Sequence, residues 1–337
     1  MSKSDESKTR KAAPLTVGCD DGFSNTNVVI LSGGKPQQLV LPSRARAGVH
    51  TTSQITGSSD EIVPVYETEG LRYTVGDMPD SEGAGFQGYP FSAMNRSVVQ
   101  HALRMAGLGG REVRLATGLP LMLYYKGDKP NTEIIERKKQ SLLQAISAVD
   151  GSPTASIVSH EVYPEGLSAW VDYAVDDQGN LRNDEDETVG VVDMGGRTID
   201  IAVVMPGQRI DHGSVGSKVL GAHDVVEEVR VALVKKYGFE IEASRIERAL
   251  STKTIKMWGK VYDISEEVNN ALLTVGQQIE SEIDRRLGNG NRLDKILFVG
   301  GGTYLFKDVA AKYPNAVVPE QPEFANARGF AKFLDLN

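Results

Sequence analysis

The chain has 337 residues, 40% of them hydrophobic and 24% charged, with a formal net charge of -8; this is enough for a sizeable core and two domains. The acidic balance argues against a surface built for direct nucleic-acid contact. The single cysteine, Cys19, excludes an internal disulfide framework and fits a reducing compartment, and no stretch approaches the ~20 apolar residues of a membrane helix or the apolar segment of a signal peptide, so a cytoplasmic protein without membrane contact is expected.

Residues 1–13 are polar and without hydrophobic periodicity, and read as a disordered tail. In LTVGCDDGFSNTNVVIL an apolar run ends at Asp20, a turn of Asp21, Gly22, Phe23, Ser24 and Asn25 follows, and a β-branched run returns, which predicts a hairpin. Residues from about 43 to 91 are dense in Gly, Ser, Thr and Pro, with short β-like pieces (EIVPVYE, LRYTVGD), and predict a small β-containing insertion. A helix at 92–105, the strand EVRLATGLPL and a long loop through Tyr124, Tyr125 and Pro130 come next. Asn131 is the expected N-cap of a helix over TEIIERKKQSLLQAISAV, whose Ile134, Ile135, Leu142, Leu143 and Ile146 recur near helical period. The strand TASIVSHEVYPEG ends at Glu165, GLSAWVDYAV has a helical pattern, and NDEDE at 183–187 reads as a solvated acidic linker.

The second half opens on a repeat of the first hairpin, VGVVDMGGRTIDIAVV, with Asp193 standing 173 positions after Asp20. Strands and turns in RIDHGSVGSKVLG follow, then helices at 222–237 and 265–287 with EASRIERALST between them as part of a small helical subdomain. In DKILFVGGGTYLFKDVA a strand runs into Gly300, Gly301 and Gly302 before a helix; glycine lets backbone approach a ligand closely, and a helix start offers unpaired N–H groups. FANARGFAKFLDL closes the chain as a short amphipathic helix expected to fold back onto the first domain. Histidines at 50, 101, 160, 212 and 223 include no close pair, so a zinc site is not expected. Each aspartate-ended hairpin can form an anion-binding nest beside a hydrated divalent cation, and two of them suggest two like domains gripping one polyphosphate.

In the order CDDGFSNTN, VYPEG, DMGGRTID, FVGGGTYL, the chain resembles the actin, Hsp70 and sugar-kinase superfamily, whose corresponding loops are called phosphate 1, connect 1, phosphate 2 and adenosine. The segment ATGLPLMLYYKGDKPNTEIIERKK is similar to plasmid-segregating actins of the ParM/StbA type, and the similarity spans about 16–334. The resemblance implies an α/β molecule of two RNase-H-like actin-fold domains around a nucleotide cleft: domain I over 14–182 with the insertion at about 43–91, domain II over 183–317 with the helical subdomain at about 222–287, and a segment at 318–337 returning to domain I. It implies an ATPase that binds Mg-ATP, polymerises into dynamic filaments and moves plasmid copies through a DNA-binding adaptor on a centromere-like site, so that DNA is contacted indirectly. A small-molecule kinase of the same superfamily is the alternative, but no extra carboxylate base for a substrate hydroxyl stands out.

Carried over residue by residue, Asp20 and Asp193 match the aspartates that hold Mg2+ through water. Glu165 matches the glutamate that orients attacking water, although it is also placed to cap the next helix. Asp21, Gly22, Ser24, Asn25, Gly195, Gly196 and Thr198 are the expected phosphate contacts, with Phe23 turned into packing. Gly300, Gly301, Gly302 and Thr303 form the expected adenosine loop, with Tyr304 or Phe306 near the base. Asp200 reads either as an aid to ordering metal-bound water or as a structural residue at the edge of the site. Asn27 replaces a lysine that meets phosphate in actin and several relatives, and Arg197 stands where many relatives have a small residue, either as a phosphate contact or facing solvent.

Overall fold

The computed structural model describes residues 13–31, 36–50, 64–78, 81–86, 88–176, 179–182 and 186–336. Outside these lie all but the last residue of the expected tail, parts of the expected insertion (51–63, 79–80 and 87) and positions 183–185 of the acidic run.

The first hairpin pairs Leu15–Asp21 with Asn25–Leu31 and sets Asp20 opposite Asn27. Gln37–Pro42 continues the antiparallel meander on one side, and on the other Glu112–Leu119 and Ser156–Pro164 add as parallel strands. The second hairpin repeats the plan. Val189–Met194 pairs with Thr198–Met205, setting Asp193 opposite Asp200; Gly216–Val219 extends the antiparallel side, and Lys295–Val299 and Ala316–Val317 the parallel side. Two copies of one topology define two actin-fold α/β domains. The central strands are apolar without alternation because both of their faces are covered.

In the first domain Val99, Ala102 and Leu103 of the helix Ala93–Leu103 pack on Val17, Cys19, Val28 and Leu115. The helix Ala325–Leu336 takes the opposite face, where Phe330 and Leu334 pack on Ala116, and it lies so near that a Cβ on Gly18 would strike the Ala327 carbonyl. In the second domain the helices Ala222–Tyr237 and Ser265–Leu287 bury Val225, Val229, Val275 and Ile279 against Ile199, Ile201 and Phe298. Among the described residues no helix is long and apolar enough to cross a membrane.

Two local expectations are corrected, and a third, the N-cap at Asn131, holds without its side-chain bond. The helix after Asn131 spans Thr132–Leu143 and stops short of the end of its apolar pattern. Ser147–Ala148 instead forms the edge of a sheet with Val65–Thr68, Leu71–Val75, Arg44–Ala47 and Glu82–Gly83, because Ile146 and Ala148 bury against Tyr66 and its neighbours there. Asn131 caps with its backbone carbonyl, which accepts the Ile135 N–H at 3.0 Å, while its side chain makes no capping bond. The region read as a long loop holds a one-turn helix, Leu121–Tyr124, and the paired segments Tyr125–Lys126 and Lys129–Pro130.

Candidate functional site

Both hairpins deliver their aspartates at the ends of central strands, where the domains face each other. Side chains alternate along a strand, so Asp20 and Asp21 point to opposite faces. Asp20 enters a pocket of about 80 Å³ shared with Asn27, Glu165, Asp193, Asp200 and Asn326. A larger cavity of about 370 Å³ adjoins it, and Phe23, Ser24, Asn25, Gly196, Arg197 and Gly301 border both spaces. The phosphate-type loops approach so closely that a Cβ at Gly196 would collide with Ser24 Oγ. Gly300, at φ +82°, lies against the Asp193 carboxylate and the Met194 carbonyl, leaving no space for a side chain.

Asp193 Oδ2 accepts a 2.6 Å hydrogen bond from Asn326 Nδ2, while Asn326 Oδ1 accepts the Gly166 N–H at 2.9 Å. This one amide ties the second hairpin to the turn after Glu165. Asp200 accepts from the Leu121 N–H at 2.7 Å and from the Ser217 hydroxyl. The Glu165 carboxylate has no hydrogen-bond donor among the described residues, and its helix is capped by Gly166 without a side-chain bond, so the capping reading of Glu165 is not supported.

Burial, then the charges of Asp193 and Asp21, raise Asp20 to about 8. Asp193 is raised to about 7 by burial and then by Asp200. Glu165 is raised well above its ordinary value by burial and then by Asp20, Asp200 and Asp193. Burial raises Asp200 against the opposing hydrogen bonds from Ser217, Leu121 and Thr198. Such a group of carboxylates disfavours its own ionised form and gains from a cation. Among the described residues no three His, Cys, Asp or Glu converge on a point able to hold a bare ion, and Mg2+ characteristically keeps several of its waters. Asn27 Oδ1 is buried here without a hydrogen-bond partner, an acceptor suited to such a water. The residues present fit a hydrated divalent cation.

These shifts predict a pH dependence for protein free of divalent cation. Folded Asp20 holds its proton to about pH 8 and folded Asp193 to about 7, against 3.8 when unfolded, so stability falls as pH rises through that window. His101 and His160, lowered by burial to about 4 and about 3 from 6.5, act in the opposite sense below pH 6.5. The fall is therefore expected to emerge between about pH 6.5 and 8, on the order of 2 kcal/mol, and added Mg2+ should flatten it. A melting temperature that held level or rose over this interval in the metal-free protein would count against the burial of these carboxylates.

Gly22, Ser24, Asn25, Gly195, Gly196, Thr198, Gly300 and Gly301 border the carboxylate pocket, and Gly302 borders the larger cavity. Two of the expected residues turn their side chains elsewhere. The Asp21 carboxylate turns into the first domain, where Asn95 Nδ2 donates to it at 2.6 Å and the Lys138 ammonium pairs with it. The Thr303 hydroxyl is buried and donates to the Val299 carbonyl at 2.7 Å. Phe306 belongs to the core of the second domain and Tyr304 donates to Glu323 at 2.6 Å, so neither borders the cavity. Its apolar wall comes instead from Val226, Ala243, Leu250 and Leu305. Sequence reading also missed Asn326, which no motif distinguishes from any other helical asparagine.

This arrangement, two like hairpins meeting at a carboxylate pocket, is that of the actin fold. Residues 15–176 match the family model for the plasmid segregation protein ParM, N-terminal, and residues 191–311 match that for the archaeal actin homologue MreB-like, C-terminal. The first half of the chain is thus similar to ParM and the second to an archaeal MreB-like actin homologue, and the whole has the actin fold. Among solved structures it is similar to a non-polymerisable quadruple mutant of pCBH ParM, with 19% identity over 96% of this chain and 100% of that one and a TM-score of 0.76. It is also similar to Ta0583, an archaeal actin homolog in complex with ADP, at 20% identity, 95% and 99% coverage and a TM-score of 0.74. A third similar structure is a 15-stranded ParM filament from Clostridium botulinum, at 18% identity, 97% and 100% coverage and a TM-score of 0.72. At these identities the structural likenesses establish the fold alone. No curated relative matches the sequence.

Proposed function

We propose that the chain is a cytoplasmic actin-like ATPase that assembles into ATP-dependent dynamic filaments and segregates plasmid DNA through a DNA-binding adaptor bound to a centromere-like site. The observation that carries the reading is the junction of two like domains, where Asp20, Asp193, Asp200 and Glu165 adjoin a cavity with an apolar wall. The ParM-type match of the first half supports the filament and plasmid part, and a similar protein is itself known as a filament.

Asp20 and Asp193 would hold Mg2+ through its waters; when bound, the ion neutralises polyphosphate charge and favours departure of ADP. The backbone N–H groups of the loops at Gly22–Asn25 and Gly196–Thr198 would cradle phosphate oxygens, that of Gly195 being held by the Thr198 carbonyl at 2.9 Å. Val226, Leu250 and Leu305 take the base. Glu165 accepts a proton from, and aligns, the attacking water; phosphoryl transfer depends chiefly on such positioning and on charge neutralisation. Asn326 fixes the Asp193 rotamer while holding the turn that carries Glu165.

Right-angle light scattering with Mg-ATP, Mg-ADP and a non-hydrolysable ATP analogue, with phosphate release followed in parallel and pellets viewed by electron microscopy, tests this reading. Filaments are expected with ATP, persistence with the analogue, and decay with ADP. ATP turnover without assembly over a wide protein concentration range would overturn the filament reading and favour a small-molecule kinase.

A further inference from the structure

The carboxylate pocket is bordered by Asp20, Glu165, Asp193, Asp200 and Glu323, and Arg197 is its one cationic side chain among the described residues. Arg197 also borders the larger cavity, so it stands where the two spaces meet. Arg44, the other arginine of that cavity, is already paired with Glu247 at 2.5 Å. Arg197 has no carboxylate partner among the described residues; its guanidinium lies over the Phe23 ring, 5.3 Å from the centroid. Phe23 packs in turn against Tyr89, with ring centroids 6.0 Å apart. A shelf from the first domain thus orders a cation carried by the second, and a guanidinium held through its face keeps its N–H fork free for an anion.

A second observation comes from the opposite wall. Asn27, 7% exposed, lies across from Asp20 on the return strand, borders the pocket and leaves Oδ1 unpaired. The position where the resemblance implies a phosphate-binding lysine is therefore occupied by a buried neutral group with an unmet hydrogen bond.

We propose that Arg197 supplies the phosphate-neutralising charge that Asn27 lacks, clamping the polyphosphate where the base cavity meets the carboxylates. This inference rests on reading the cleft as an ATP site. It moves the cation from the first domain's strand to the second domain's loop, so that the charge binding the nucleotide also bridges the domains through Phe23.

Calorimetric titration of the full-length protein with adenosine, ADP and ATP in the presence of Mg2+ tests it. Arg197→Ala is expected to weaken ADP and ATP binding roughly ten- to hundredfold, the worth of a charge-assisted hydrogen-bonded pair, while adenosine affinity and melting temperature stay at parental values. Arg197→Lys should fall between the two, and adding Asn27→Lys to Arg197→Ala should restore most of the lost ADP and ATP affinity. Parental ATP and ADP affinity in Arg197→Ala, or an equal loss for adenosine, overturns the inference alone. A parental protein that binds neither ADP nor ATP overturns the ATPase reading and this inference with it.

Discussion

Glu165→Gln is expected to bind Mg-ATP with parental affinity and to hydrolyse it at least ~10²-fold more slowly, the lower end of what a positioned proton acceptor contributes. The geometry separates these two effects. The backbone of Glu165 is fixed by its N–H donating to the Leu119 carbonyl at 3.0 Å, and the following turn is held by Asn326, so the side chain is aimed by main-chain bonds that glutamine retains. Its carboxylate has no donor among the described residues and faces Asp20, Asp193 and Asp200 across the pocket. Glutamine keeps the size and one acceptor oxygen but replaces the basic carboxylate with a neutral amide that cannot take up the proton. Because assembly follows nucleotide binding in the proposed cycle, filaments of the variant should form with ATP and then persist instead of collapsing. Single-turnover phosphate release beside light scattering reads both effects. Hydrolysis at the parental rate would remove Glu165 from the mechanism, and loss of ATP binding would make it a structural residue of the cleft.

What sequence made legible, and what it did not, divides along physical lines. Asp20 and Asp193 stand out because a strand ending in an aspartate before a glycine turn is a local pattern, and the pattern occurs twice. The duplicated topology follows from the same repeat, since each hairpin starts a meander flanked by parallel strands. Side-chain direction was harder. Asp20 and Asp21 are adjacent letters of one motif, yet strand alternation sends one to the cleft and the other into the domain. Thr303 and Phe306 follow a glycine loop whose backbone faces the cavity, but their side chains satisfy the core and a local carbonyl. Asn326 lies 133 residues from Asp193 in the chain, and only the return of the last helix to the first domain brings them together. The apolar wall of the cavity is likewise assembled from separate helices that carry no shared motif.

Lys138→Met is expected to destabilise the protein by roughly 3–5 kcal/mol, as a lowered urea midpoint with an unchanged slope, because it strands a buried carboxylate. Lys138 and Asp21 are both buried, and Asn95 completes the group, donating to Asp21 at 2.6 Å and accepting from Lys138 Nζ at 3.2 Å. The group joins the helix Thr132–Leu143 and the helix Ala93–Leu103 to the end of the strand that carries Asp20. Removing the ammonium leaves Asp21 with a neutral donor in a dry site, so Asp21→Asn added to Lys138→Met should recover much of the loss, as expected for directly coupled partners. Nucleotide affinity should fall in the single variant even where it remains folded, since Asp21 is covalently next to Asp20 and any relaxation of one moves the other. Lys138 belongs to the NTEIIERKK run that resembles ParM/StbA-type actins. Its place in the fold supplies a physical reason for a lysine there: it anchors the floor of the first phosphate-type loop from within the domain. A Lys138→Met variant with parental stability would detach that segment from the site and leave its resemblance without a structural role in the cleft.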